Sequence, residues 1–276
     1  TSLTTGQVAS LTTASVAALT TAQAAKLTSD QLGALTTAQV KAITTTDLVA
    51  LNSVQIASIN TASTAALTTD QVVALTTAQV DKLTTGQVAA LTSAQVGAME
   101  TADLNKLTSD QVGAITTASL RGLSTDQVNK LGTTQLTALT TGQVASMTTA
   151  SVSALTTAQT VSLATDQVAA LTTAQVRAVT TSGIAKLTTD QVVALTTDAV
   201  VALSTGQAAA LTSAQVVAMT TAQLVQMGTS DFAALGTSAI AALTVDQAVK
   251  LTTDQVVALT TDQAAKLSSD AVSVLN

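Results

Sequence analysis

Beginning at Leu3, an aliphatic residue stands at every eighth position, through Leu11, Leu19, Leu27, Leu35 and Ile43 to Leu267 and Leu275. No insertion or deletion disturbs the register, so the anchors Leu3 to Leu275 bound 34 octads. With the anchor as position a, the consensus over a to h is L-T-T-x-Q-V-x-A, as in Leu67 to Ala74 (LTTDQVVA). All four Met residues (Met99, Met147, Met219, Met227) fall on a, and the lone Phe232 falls on f, so both types read as core.

The pattern predicts one short helix per octad. Position b is Thr, Ser, Asn or Gly except at Glu100 and Ala164, and position e, three residues on, is Gln in 23 of 34 octads. Thr-x-x-Gln is a capping box: the b hydroxyl accepts from the backbone N–H of e, and the Gln side chain reaches back to the N–H of b. Leu at a against Val at f then forms a hydrophobic staple. Charge placement agrees, because a helix favours acids in its first turn and bases in its last. Eleven Asp occupy d, three occupy e (Asp47, Asp103, Asp231), Glu100 sits at b, and only Asp81 lies elsewhere. All ten bases occupy g or h.

Two rivals fit less well. A β-solenoid suits Thr and Val, but it needs strict alternation, and a is odd where f and h are even. One long helix would need four residues per turn instead of 3.6. The expected fold is therefore all-α, a solenoid of helices about one and a half turns long, roughly 9 Å each at 1.5 Å per residue. Helices this short are unstable alone and must stabilise one another through nearest-neighbour interfaces. Positions a and f supply the buried stripe, and a small residue at h lets neighbours approach. If two octads make one turn and turns sit about 10 Å apart, the rod is on the order of 170 Å long. Position c is Thr or Ser in 33 of 34 octads, Val245 excepted; a hydroxyl bonding to an adjacent turn is the expectation there.

Composition narrows the function classes. The 276 residues include no His, Cys, Trp, Tyr or Pro, so the common metal ligands, the cysteine nucleophile and the usual general base are missing. No catalytic, cofactor or metal residue is nominated, and the chain is read as not an enzyme, with no small-molecule substrate. Asp at d lacks any calcium-loop spacing and reads as a helix-dipole partner. Ser or Thr beside Lys recurs in many equivalent octads without a distinct site. A net charge of −6 with ten Lys plus Arg argues against nucleic acid. Mean hydropathy is +0.47, yet polar residues interrupt every apolar run, so no membrane insertion is expected. Exposed Thr residues offer hydroxyls for O-linked sugar, and no N-x-[ST] sequon occurs.

Longer echoes lie above the octad. Thr4 to Leu19 recurs as Thr140 to Leu155, and Thr68 to Met99 recurs with changes at Thr188 to Met219. The array thus grew by duplicating multi-octad blocks, and residues 1–276 read as one continuous solenoid with no internal boundary. The segment LTTDQVVAL resembles the first-helix segment of the TAL-effector DNA-binding repeat, but the second helix, the base-reading loop and the longer period are missing, so that function does not carry over. L-T-T-x-Q-[VI]-x-A arrays with E-T-A-D-L variants, as at Glu100 to Leu104, resemble repetitive regions of very large bacterial surface or secreted, adhesin-like proteins. That resemblance covers the whole chain and implies a stalk or filament outside the cell.

The chain has no initiator Met and no signal-like segment, as expected of a processed product or part of something longer. Leu3 and Leu275 are ordinary anchors rather than polar caps, which implies continuation in a longer chain or end-to-end self-association. The expected role is a structural rod segment of an extracellular filament or adhesin stalk. The alternatives are a scaffold binding a protein or glycan through g and h, which the scattered Lys residues disfavour, and an ice-binding Thr array.

Overall fold

The computed structural model describes residues 3–275. Every octad forms one α-helix of four to six residues, 34 among the described residues, with no strand. The all-α expectation is met and the β-solenoid is ruled out.

Most helices start as the octad dictates. At Thr84, φ −71° and ψ 155° place the cap residue in extended backbone. Its Oγ1 accepts from Gln87 N at 3.1 Å, and Gln87 Oε1 accepts from Thr84 N at 2.8 Å. The helix Thr85–Ala90 then ends at Leu91, which is extended again (φ −62°, ψ 136°). Two successive extended residues, a and b, therefore turn the chain between helices. Both have φ values open to any L-residue, and no described residue has positive φ. This is why the chain turns between helices without proline and without the left-handed glycine that commonly closes a helix.

The helices form two compact units, Thr1–Ser146 and Met147–Asn276. Within each, a helix packs on the one three octads further along. Thr37–Ala42 packs on Thr61–Ala66 in the first unit, and Thr189–Ala194 packs on Ser213–Ala218 in the second. One turn of solenoid is thus three octads. The supposition of two octads per turn is wrong, and the rod length built on it lapses. The octad contains nothing that counts its neighbours: the number per turn depends on how far each a–b corner rotates the chain.

Inside each unit a and f are buried, except in the first and last described turns, where Leu3 and Val272 are 45% and 52% exposed. Leu91, Leu195 and Leu203 are 3–5% exposed, while Val88, Val96 and Val216 are fully enclosed. Phe232 is likewise enclosed, and the four Met residues are buried on a. Each Leu or Val so buried contributes about 1.5–3 kcal/mol. Two f positions carry Thr in place of Val, and there Thr64 Oγ1 and Thr160 Oγ1 donate to the backbone carbonyls of Asn60 and Thr156, both at 3.0 Å.

Position e is buried too, which the octad pattern does not announce. It lines the interior beside a and f, with Gln87, Gln95 and Gln175 only 1–2% exposed. Neighbouring helices also approach closely at h, as expected. A Cβ on Gly122 would collide with the backbone oxygen of Ser93, so only glycine fits there.

Candidate functional surface

The sequence nominates no catalytic, cofactor or metal residue; what the structure offers is an interior polar row and a patterned surface. The interior row is position e. Gln87 Nε2 donates to the carbonyls of Ile56 and Ile59, 31 and 28 residues back, both at 2.8 Å. Gln143 donates to Val112 and Ile115, and Gln223 to Val192 and Leu195, at the same separations. The acceptors lie at the C-terminal end of a helix in the preceding turn: the f carbonyl also accepts from the next anchor, as Ile56 O does from Ile59 N at 3.2 Å, while the a carbonyl lies past the last helical bond. One side chain therefore satisfies two helix ends: its oxygen caps its own N-terminus, and its nitrogen caps a C-terminus one turn back.

Of the eleven octads in which Gln is replaced, two keep a serine donor on the corresponding carbonyl. Ser63 Oγ donates to Leu35 O at 3.3 Å, and Ser119 Oγ to Leu91 O at 2.5 Å. The capping box makes half of this legible, but the Nε2 partner lies more than a full turn away and no local pattern announces it. In the first turn of the described residues, Gln7 and Gln23 are exposed, since no earlier described turn supplies carbonyls. Beside Gln23 an open cavity of about 260 Å³ is lined by the apolar anchors Leu3, Leu19 and Leu27 and by Val8 and Lys26.

Asp at e breaks the scheme, because a carboxylate cannot donate. Asp47 instead accepts from Thr44 Oγ1 at 2.7 Å and Thr21 Oγ1 at 2.9 Å. At Asp103 the cap position is Glu100, which brings a charge in place of a hydroxyl, and Asp103 is 3% exposed. Burial, and secondarily the Glu100 charge, push its carboxyl up to about 6.

The surface consists of b, c and d with much of g and h. Every d-position Asp is exposed and lies in the first turn of its helix, and all ten bases are exposed. The three-octad turn revises one reading. Lys82, Lys106 and Lys130 look scattered along the chain, yet they stand one turn apart on a single row of the first unit. The row is partly neutralised, since Asp81 pairs with Lys82 at 2.8 Å and Asp126 with Lys130 at 3.1 Å. Shallow grooves between turns, such as that lined by Thr77, Ala78, Asp81 and Lys106, repeat the same positions. Among the described residues, no three acidic side chains gather as metal ligands do, and no helix is long and apolar enough to cross a membrane.

The family model described as ALTTAQ repeat matches residues 1–37, 16–45, 40–77, 72–101, 96–133, 104–141, 112–149, 128–165, 168–205, 192–221 and 224–261. The chain belongs to the ALTTAQ-repeat family. The matches tile nearly all of it, so the ALTTAQ unit and the octad describe one pattern, the former read from h of one octad to e of the next (Ala74 to Gln79, ALTTAQ). No curated protein matches the chain.

Proposed function

We propose that this ALTTAQ-repeat protein is a structural element, a rod-like segment or subunit of an extracellular bacterial filament or adhesin stalk, without enzymatic activity. The observation that carries this reading is the glutamine linkage. Within each unit, successive turns are joined by side-chain donors that reach from one turn to the one before, so extension reuses one interface indefinitely. Such one-dimensional stacking is the physics of a solenoid, and an open head-to-tail contact yields a fibre. The open cavity beside Gln23 has the chemistry of the interior, apolar with amide donors. A second copy docking there end to end would meet those donors.

Negative-stain electron microscopy of the protein across a dilution series tests this. Fibres of uniform width that survive dilution are expected, together with their loss in a Gln7→Leu/Gln23→Leu variant. Compact particles with no elongated species at any concentration would overturn the structural role.

A second reading, a binding scaffold, draws on the lysine row at Lys82, Lys106 and Lys130. The Asp81 and Asp126 pairs leave that row little net charge, and exposed pairs are weak. Salt-dependent retention on an anionic matrix that disappears on replacing all three Lys with Ala would favour the scaffold.

A further inference from the structure

Position c holds Thr or Ser in 33 octads, and Val245 is the exception. Its side chain is exposed in most of them. Among the described residues its hydroxyl makes one hydrogen bond, from Thr21 Oγ1 to Asp47 Oδ1 at 2.9 Å. The expected bond to an adjacent turn is thus the exception. The methyl stands where a d-position Cβ of the next turn would touch it: Thr61 Cγ2 and Thr181 Cγ2 lie 3.5 Å and 3.8 Å from where a Cβ on Gly86 and Gly206 would be.

A methyl contact alone would accept Val as readily as Thr. The sequence does the reverse. Ser29, Ser53, Ser93, Ser109, Ser213 and Ser269 keep the oxygen and drop the methyl, while Val occurs once. Position b is an internal control, because the fold uses its hydroxyl as the helix cap. Even so, five octads give up the side-chain cap, with Glu100, Gly132, Ala164, Gly228 and Gly236. The same block duplications copied b and c together, so shared ancestry does not explain why the unused hydroxyl is kept more strictly than the used one.

We propose that the c-position hydroxyls are a regular array of acceptors for O-linked sugar. The surface fits that role. Only 9% of residues are charged, and exposed valines recur at g, with Val49, Val73, Val193, Val201 and Val217 all 39–50% exposed. Glycans hydrate such a surface. An ice-matching rank fits less well. It needs methyl and hydroxyl held together at each site, and Ser supplies no methyl and lacks the branched, stiff rotamer of Thr, whereas a transferase takes either residue. The step is a substitution at carbon. The c oxygen attacks the anomeric carbon of a nucleotide-diphosphate sugar, the bond from that carbon to phosphate oxygen breaks, the hydroxyl proton passes to the transferase's base, and the nucleoside diphosphate leaves. The b oxygen is a poor acceptor, since it already accepts from the N–H at e.

Proteolytic peptides of the protein isolated from its natural source, sequenced by electron-transfer fragmentation, test this. The expected result is mass added in whole sugar residues at c and not at b, with nothing at c in the octad of Val245, and its loss on β-elimination. Unmodified peptides alone, or sugar spread equally over b and c, would overturn the proposal. A Thr69→Val/Thr189→Val variant made in the same source should lose the added mass from those two octads with its far-ultraviolet circular dichroism unchanged. A drop in helix signal would mean that the hydroxyl serves the fold, and would also overturn it.

Discussion

Position e does the most physical work for its size, because a buried amide at that site meets orphan groups from two helices. Replacing Gln87 with Leu leaves the Thr84 N–H and the Ile56 and Ile59 carbonyls without that partner. Ile56 O keeps its bond from Ile59 N and Thr84 is exposed to water, but the buried Ile59 carbonyl is orphaned at a cost of about 1–3 kcal/mol, so Gln87→Leu is expected to lower stability measurably in guanidinium unfolding despite a more apolar side chain. Asp103 tests the same site by charge. Its folded pKa of about 6 lies above the ordinary value of 3.8, so between those values the folded state holds a proton that the unfolded state has lost. The stability that goes with the neutral form is therefore fully present below pH 3.8 and is lost as pH rises through about 6. Asp103→Gln should raise the melting temperature at pH 7, and the gain should shrink as pH falls below 4. A gain equal at both pH values would refute the assignment. The capping half of Gln is legible three residues away; its cross-turn half is not, since donor and acceptor stand more than a full turn of chain apart.

The helix is the most readable scale. Cap, staple and charge polarity all fall within one octad, and local rules of that range survive in any tertiary setting. Ala164 shows this from the defective side. Its backbone is already extended (φ −67°, ψ 155°) and its N–H is already held by Gln167 Oε1 at 2.9 Å, but Ala brings no hydroxyl to Gln167 N. Ala164→Thr should add the missing cap and about 1 kcal/mol, read as a higher denaturation midpoint with unchanged slope. Gly122 tests the opposite case. Adding one methyl there collides with the Ser93 carbonyl on the helix one turn earlier. Overpacking of this kind costs about 1–3 kcal/mol, so Gly122→Ala should lower the same midpoint. The small residue at h is readable from the pattern, but which h demands glycine is not, because that depends on the local separation of two turns.

For the whole molecule, stability is a chain of neighbour interfaces, so damage should stay local. Hydrogen exchange on the Gln87→Leu protein is expected to show lost protection in the turns holding residues 56–59 and 84–91, with distant turns unchanged. Uniform loss across all octads would indicate a single cooperative unit instead. The lysine row belongs to this scale as well: Lys82, Lys106 and Lys130 acquire a relationship only once the turn is known to hold three octads.

The sequence by itself determined that this protein is all-α, that a helix begins at every b, and that a and f face inward, because capping, staple and dipole act over one turn of helix. Tertiary structure decided how many octads close a turn, which carbonyls the glutamines reach, and which surface residues stand side by side. Those depend on the angle of each a–b corner, a backbone quantity that Leu-Thr permits over a range and that only packing against the previous turn selects.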